Sequence, residues 1–266
     1  MMVVRDKAYT VRLAAGLGMI EETLILLDLW YEGMDIPTLT RAARESGRFP
    51  SMSASRLENL VSDGFAPRYL VDGGAPARLL KALVPVIARR ELEQFMFLYT
   101  CRAHAILADF VRQVYWRTYA AGRDTLDNDA ARAFITQANQ DGKTTTPWSD
   151  STIIRATRYL TGCCADFGLL ERGHRTARRI LSYRIEPRVV AILAHDLHFA
   201  GLGDNRLLGD PDWELFGLDP SDVLNELKRL ALKGAIIVQM AGGVTHIGWQ
   251  YKTIDEVIDA IAHGTL

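Results

Sequence analysis

The sequence predicts a mainly α fold with small β-hairpins: an N-terminal helical bundle with a helix-turn-helix-like hairpin, followed by a winged-helix C-terminal region. Three observations predict it. Apolar residues recur at helical spacing over most of the chain, with capping residues before them and glycines after them. The stretch from Trp148 to Arg188 reads as a helix running directly into an arginine-studded hairpin. A second helix-then-hairpin succession follows towards the end of the 266 residues.

Taken in order, Glu21 and Glu22 open a first helix in which Leu24, Leu27, Asp28 and Tyr31 follow helical spacing, and Gly33 stops it. Ile36 to Glu45 forms a second, with Pro37 in the first turn, where a missing N–H costs least. After the turn SGRFPS, Ser51 or Ser53 caps a third helix reaching Asp63, with Leu57, Leu60 and Val61 inward and Arg56 and Asn59 outward. Two short helices joined by a Gly/Pro turn, with Arg41, Arg44, Arg48 and Arg56 nearby, have the outline of a helix-turn-helix. Any structural helical hairpin has the same outline.

From Pro76 to Gly122 the pattern is long and helical, interrupted at Pro85. Phe95, Phe97, Leu98, Tyr99, Phe110, Tyr115 and Trp116 supply the bulky core of an N-terminal bundle. Stacking of these rings on unpaired bases is the alternative use. AAGRDTLDND reads as a break, DAARAFITQANQ as a helix and QDGKTTTPWSD as a polar connection. A boundary near residue 125 divides the chain into a helical domain, 1–125, and a winged-helix-containing domain, 126–266.

Ser149 or Asp150 caps the next helix. Ile153, Ile154, Thr157, Leu160, Thr161, Cys164 and Phe167 form its mostly apolar stripe, and Gly168 ends it. Leu169-Leu170 and the run Ile180 to Ile185 are two short strands, and RGHRTARR between them is too polar to pack. This wing carries Arg172, His174, Arg175, Arg178 and Arg179 with no acid among them. Beside a helix bearing Arg155 and Arg158, it offers several cations to a phosphate backbone while the helix enters a groove. Ser151, Thr152, Arg155 and Arg158 are the side chains available for base edges. The plainer use of such a hairpin is solubility.

Beyond the wing, RVVAILAHDLHFAG is a helix, and LDPSDVLNELKRLALKG another, with Asp219 as cap, Pro220 at its first position and Gly234 closing it. AIIVQM and VTHIGWQY form a hairpin around a glycine turn. Its loop is uncharged, which suits packing against protein better than against DNA. TIDEVIDAIAHG, capped by Thr253, closes the series.

Composition, with 48% hydrophobic and 24% charged residues, is that of an ordinary globular protein. The net charge of −1 gives the whole molecule no general attraction to nucleic acid, but the distribution is uneven. Residues 150–188 carry eight basic side chains against four acidic, and residues 189–266 carry five against eleven. Three cysteines, Cys101, Cys163 and Cys164, fit neither a metal-ligand spacing nor a disulfide framework, so a reducing cytoplasm is expected. No apolar run is long enough to span a membrane. His195, Asp196 and His198 suggest a metal or nuclease site but lack a partner motif, and neither DGGAP nor AGLGDN resembles a phosphate loop. No catalytic residue, metal or cofactor is expected.

The succession TVRLAAGLGMIEETLILLDLWYEGMDI, FPSMSASRLENLVSDGFAPRYL, WSDSTIIRATRYLTGCCADFGLL and AHDLHFAGLGD resembles the BrxA family of BREX phage-exclusion systems over most of the chain. Arg56, Phe65 and Arg68 fall on an N-terminal family-like pattern, and Trp148, Arg155, Gly168 and Leu169 on the helix before the wing. The resemblance implies a small cytoplasmic DNA-associated protein without assigned enzymatic activity. It also implies partners among a methyltransferase, an ATPase and a phosphatase-like protein, and its likeness to an RNA-binding antitermination bundle leaves RNA open as a ligand. The resulting expectation is a non-catalytic DNA-binding component of an anti-phage defence system. It would contact double-stranded DNA through Ser151, Thr152, Arg155, Arg158, Arg172, His174, Arg175, Arg178 and Arg179, with Arg48, Arg56 and Arg68 as further contacts. The alternative is an assembly adaptor whose acidic C-terminal segment docks on a basic partner.

Overall fold

Helix after helix in this chain starts at a side chain that accepts a backbone N–H. Asp35, Ser53, Asp127, Ser149, Asp210, Asp219 and Thr253 all do so, each satisfying a donor that the first turn leaves orphaned. The computed structural model describes residues 8–15, 17–173, 176–242 and 244–266. It is mainly helical, with two small antiparallel sheets. Its contacts divide the chain into two compact units, Met1–Lys81 with Met96–Ser182, and Ala82–Phe95 with Tyr183–Leu266. These units do not coincide with the boundary expected near residue 125.

In the first unit, α1 (Ile20–Leu29) and α2 (Ile36–Glu45) lead to α3 (Ala54–Asn59), which runs through a π-helical turn, Leu60–Phe65, into α4 (Ala66–Tyr69). α1 stops at Leu29 rather than at Gly33. Trp30 turns extended and buries its indole against Gly74, where a Cβ would stand 2.7 Å from the ring. The third helical segment also outlasts Asp63, because the π turn carries Phe65 and Tyr69 into the core.

α5 (Ala75–Leu83) and α6 (Arg89–Ala103) flank the break at Pro85, with the end of α5 and the first half of α6 belonging to the second unit. His104 then leaves helical geometry before α7 (Ala105–Phe110), a π turn at Val111–Tyr115 and α8 (Trp116–Ala120). The remaining elements of the first unit are β1 (Thr125–Asp127), α9 (Asn128–Gln140), α10 (Asp150–Asp166) and β2 (Ala177–Arg179). The core gathers Leu26, Leu39, Phe65, Tyr69, Phe97, Phe110, Tyr115, Leu160 and Cys163.

The second unit is built around α11 (Pro187–Phe199), whose residues Val189 to His195 are all buried. α12 (Asp204–Leu208) and α13 (Pro211–Glu214), absent from the sequence reading, are single turns; they set Trp213 in the core, with its indole N–H on the Leu207 carbonyl at 2.8 Å. α14 (Pro220–Ala231) opens with a reciprocal Asp219–Asp222 capping box. β3 (Ile236–Ala241) and β4 (Val244–Trp249) pair antiparallel from Ile236 opposite Trp249 to Ala241 opposite Val244, and α15 (Ile254–Ala262) packs against α11. No helix among the described residues is long and apolar enough to cross a membrane.

Candidate nucleic-acid interface

α10 owes its position to a pinned entry and a hinged exit. Asn139, near the end of α9, accepts the Trp148 N–H at 2.8 Å and the Thr144 hydroxyl at 2.9 Å, and donates to the Trp148 carbonyl at 3.2 Å. Ser149 then caps the helix. Its Oγ lies 3.0 Å from the Ser151 hydroxyl and 3.1 Å from that of Thr152, so both predicted base-reading hydroxyls are engaged at the cap. At the far end Gly168 adopts φ +79°, and the Leu169 N–H closes on the Cys164 carbonyl.

α10 packs on α9, and one side of it is buried, with Ile153, Ala156, Thr157, Leu160, Thr161 and Cys164. The Thr157 and Thr161 hydroxyls return to carbonyls one turn back, which lets them be buried without loss. The solvent side presents Ser151, Ile154, Arg155 and Arg158.

The chain leaves Gly168 through buried Leu169 and Leu170 and comes back antiparallel to them. Glu171 N–H bonds the Arg179 carbonyl, Leu181 N–H bonds the Leu169 carbonyl, and Leu170 bridges Ile180. β2 pairs on its other side with β1, setting Thr125 opposite Arg179 and Leu126 opposite Arg178. The segment read as a break before α9 therefore contributes a strand. A three-residue exposed–buried–exposed pattern, directly ahead of the Asp127 cap, is too short to stand out in sequence.

The predicted contacts separate into distinct groups. The side chains of Arg155, Arg158 and Arg179 are exposed and, among the described residues, make no hydrogen bond or ion pair. Arg172 is exposed and donates to the Asp166 carbonyl at 3.2 Å. Arg178 is half-buried, bonded to the Glu171 carbonyl at 3.1 Å, and close enough to Cys164 to act on its thiol. Its role is to close the hairpin. His174 and Arg175 lie outside the described residues.

The N-terminal arginines fare differently. Arg56 is exposed on α3, whereas Arg48 is ion-paired with Asp28 at 2.5 Å. Arg68 requires a correction: it is 1% exposed, so it cannot reach a phosphate. α4 turns it inward beside the Tyr69 phenol, and among the described residues no carboxylate is paired with it. Its charge still reaches the Tyr69 phenol and the Cys163 thiol. Sequence reasoning also passed over Arg123 and Arg132, exposed beside β1 and on α9; the β1–β2 pairing relates them to the hairpin after α10.

The cysteines of α10 are inert. Burial pushes the Cys163 thiol up to about 12, against the opposing pull of Arg68, and burial followed by the neighbouring Cys163 raises Cys164 as well. In the second unit His195 is fully buried. Its Nδ1–H donates to the Ala191 carbonyl at 2.7 Å, and burial holds its pKa below the ordinary value. His198 stacks flat on Trp249, with centroids 4.3 Å apart. Among the described residues no three His, Cys, Asp or Glu side chains are grouped to hold a metal.

The BrxA family model matches residues 7–196, a span that includes α1 to α10, the hairpin after α10 and most of α11. The chain belongs to the BrxA family. No curated protein matches it. BrxA membership connects the chain with BREX defence and implies other BREX components as its partners. The acidic residues 197–266 lie beyond the BrxA match.

Proposed function

We propose that this BrxA-family protein is a non-catalytic, duplex-DNA-binding component of a BREX anti-phage system. The order β1, α9, α10 and hairpin supports a winged-helix reading, in which α10 would be directed to the groove and the hairpin after it would serve as the wing. One observation carries the reading. Arg155, Arg158, Arg172 and Arg179, on α10 and the hairpin that leaves it, are all exposed, and among the described residues none is neutralised by a carboxylate.

Guanidiniums left to solvent in this way gain by replacing the counterions condensed on a duplex, and that gain is independent of sequence. Phosphate contacts therefore dominate. Engagement of Ser151 and Thr152 at the cap leaves Arg155 and Arg158 as the side chains for base edges.

The test is fluorescence anisotropy of a labelled duplex across a salt series, with wild type beside an Arg155/Arg158/Arg172/Arg179→Ala variant. Wild-type affinity should fall steeply with salt. The variant should bind all duplexes more weakly, with a log–log slope flatter by roughly one unit per lost contact. An unchanged slope, or no wild-type binding at low salt, overturns the assignment.

A further inference from the structure

The two edges of the β3–β4 sheet are treated differently. In an antiparallel pair, residues alternate between partners that bond each other and partners whose N–H and C=O point outward. The Ile247 N–H is bonded to Asp204 Oδ2 at 3.0 Å and the Thr245 N–H to Asn205 Oδ1 at 3.5 Å, so both residues point away from β3. Their partners, Val238 and Met240, then point away from β4, and Ile236 follows by alternation.

Asp204 and Asn205 form the first turn of α12 and cover the β4 edge. α14 packs against β3, but among the described residues no side chain bonds its outer edge in the way Asp204 and Asn205 bond that of β4. Among the described residues, the outward N–H and C=O groups of Ile236, Val238 and Met240 make no hydrogen bond. The strand, IIVQMA, also lacks the lysine, proline or inward charge with which natural sheets blunt an edge. Around it Ile237, Met240 and Val244 are 64%, 53% and 59% exposed.

We infer that the free edge of β3 accepts an extended segment of a partner protein as an added strand, and that this segment alternates apolar with basic residues. Backbone pairing supplies the attachment, and the apolar side chains, which share one face of the added strand, cover Ile237, while Met240 stands on the opposite face of β3. Charge selects the partner. Residues 189–266 carry eleven acids against five bases, and the exposed side of α15 shows Asp255, Glu256 and Asp259. A second copy of this chain would bring two acidic units together, whereas a cationic segment is attracted. The inference does not depend on DNA binding by α10 and the wing.

The probe is a short labelled peptide of alternating lysine and valine, titrated into the full chain. Its control has the same charge and composition, with alternate valines replaced by proline to prevent pairing. The alternating peptide should bind, and the proline control should bind about tenfold more weakly or worse. Val238→Pro should cause a similar loss. Because its N–H points outward, that substitution removes no β3–β4 bond. Met240→Lys, an edge lysine at an exposed position, should weaken binding as well, which keeps the test valid if Val238→Pro fails to fold. Equal binding of both peptides would mean charge alone is sensed and overturns the inference, as does absence of binding. Self-association that disappears in Met240→Lys would make a second copy the occupant and also overturns it.

Discussion

Leu126 stands opposite Arg178 in the ladder that joins the strand before α9 to the strand after the α10 hairpin. The pair has two sides: Leu126 is 2% exposed, while Arg178 is held by the Glu171 carbonyl. The hairpin is therefore tied to the helical body through β1 as well as through Gly168.

Leu126→Ala should cost about 2–4 kcal/mol in a urea titration, the usual penalty for emptying a buried leucine site. It should also make the chain more susceptible to limited proteolysis within residues 172–176. Unchanged stability would mean that β1 contributes nothing to the fold.

Arg68→Met replaces a buried guanidinium that has no carboxylate partner among the described residues with an apolar chain of similar length. The expected result is a melting temperature equal to or above wild type, because the desolvated charge is removed together with its cost. DNA affinity and its salt slope should not change. A loss of affinity in a normally folded Arg68→Met protein would mean that the core position acts on the interface after all.

His195 should make the second unit sensitive to acid. Its folded pKa is lowered by burial, so the unfolded chain binds the proton more readily. Stability is then flat above the unfolded value of about 6.5 and falls as pH drops through it. Urea midpoints measured from about pH 8 to about pH 5 should show this fall, and it should be smaller in His195→Phe, provided that variant still folds. A wild-type profile rising towards acid would contradict the sign.

Cys163 and Cys164 should resist alkylation in the native protein and react only on unfolding, because both are buried and both thiols are raised. Mass spectrometry after iodoacetamide treatment, with and without denaturant, measures this. Rapid native labelling would show that α10 opens readily.

Much of this architecture can be read from the sequence, because caps and glycines act locally. Ser53, Ser149, Asp219 and Thr253 each bind an N–H two or three residues ahead, and Gly168 and Gly234 take the left-handed geometry expected of them. What escaped depends on distant neighbours. Trp30 ends α1 because of Gly74, and β1 exists because of Ala177–Arg179. Among the site residues, Arg155 and Arg158 were legible from spacing on an amphipathic helix. Arg68 was not, since the π turn at Leu60–Phe65 redirects the residues that follow it and no periodicity announces such a turn.

α6 begins among residues that cluster with the second unit and ends among those of the first, the change falling between Phe95 and Met96. The chain thus passes from one unit to the other and back before passing over again. No single truncation point can release either unit whole, and a protein shortened at any one site keeps one incomplete core. Nor could a fusion or recombination event carry off the unit that holds the arginine-bearing hairpin as one uninterrupted module: it would have to take Ala82–Phe95 with it, or excise that loop of sequence separately.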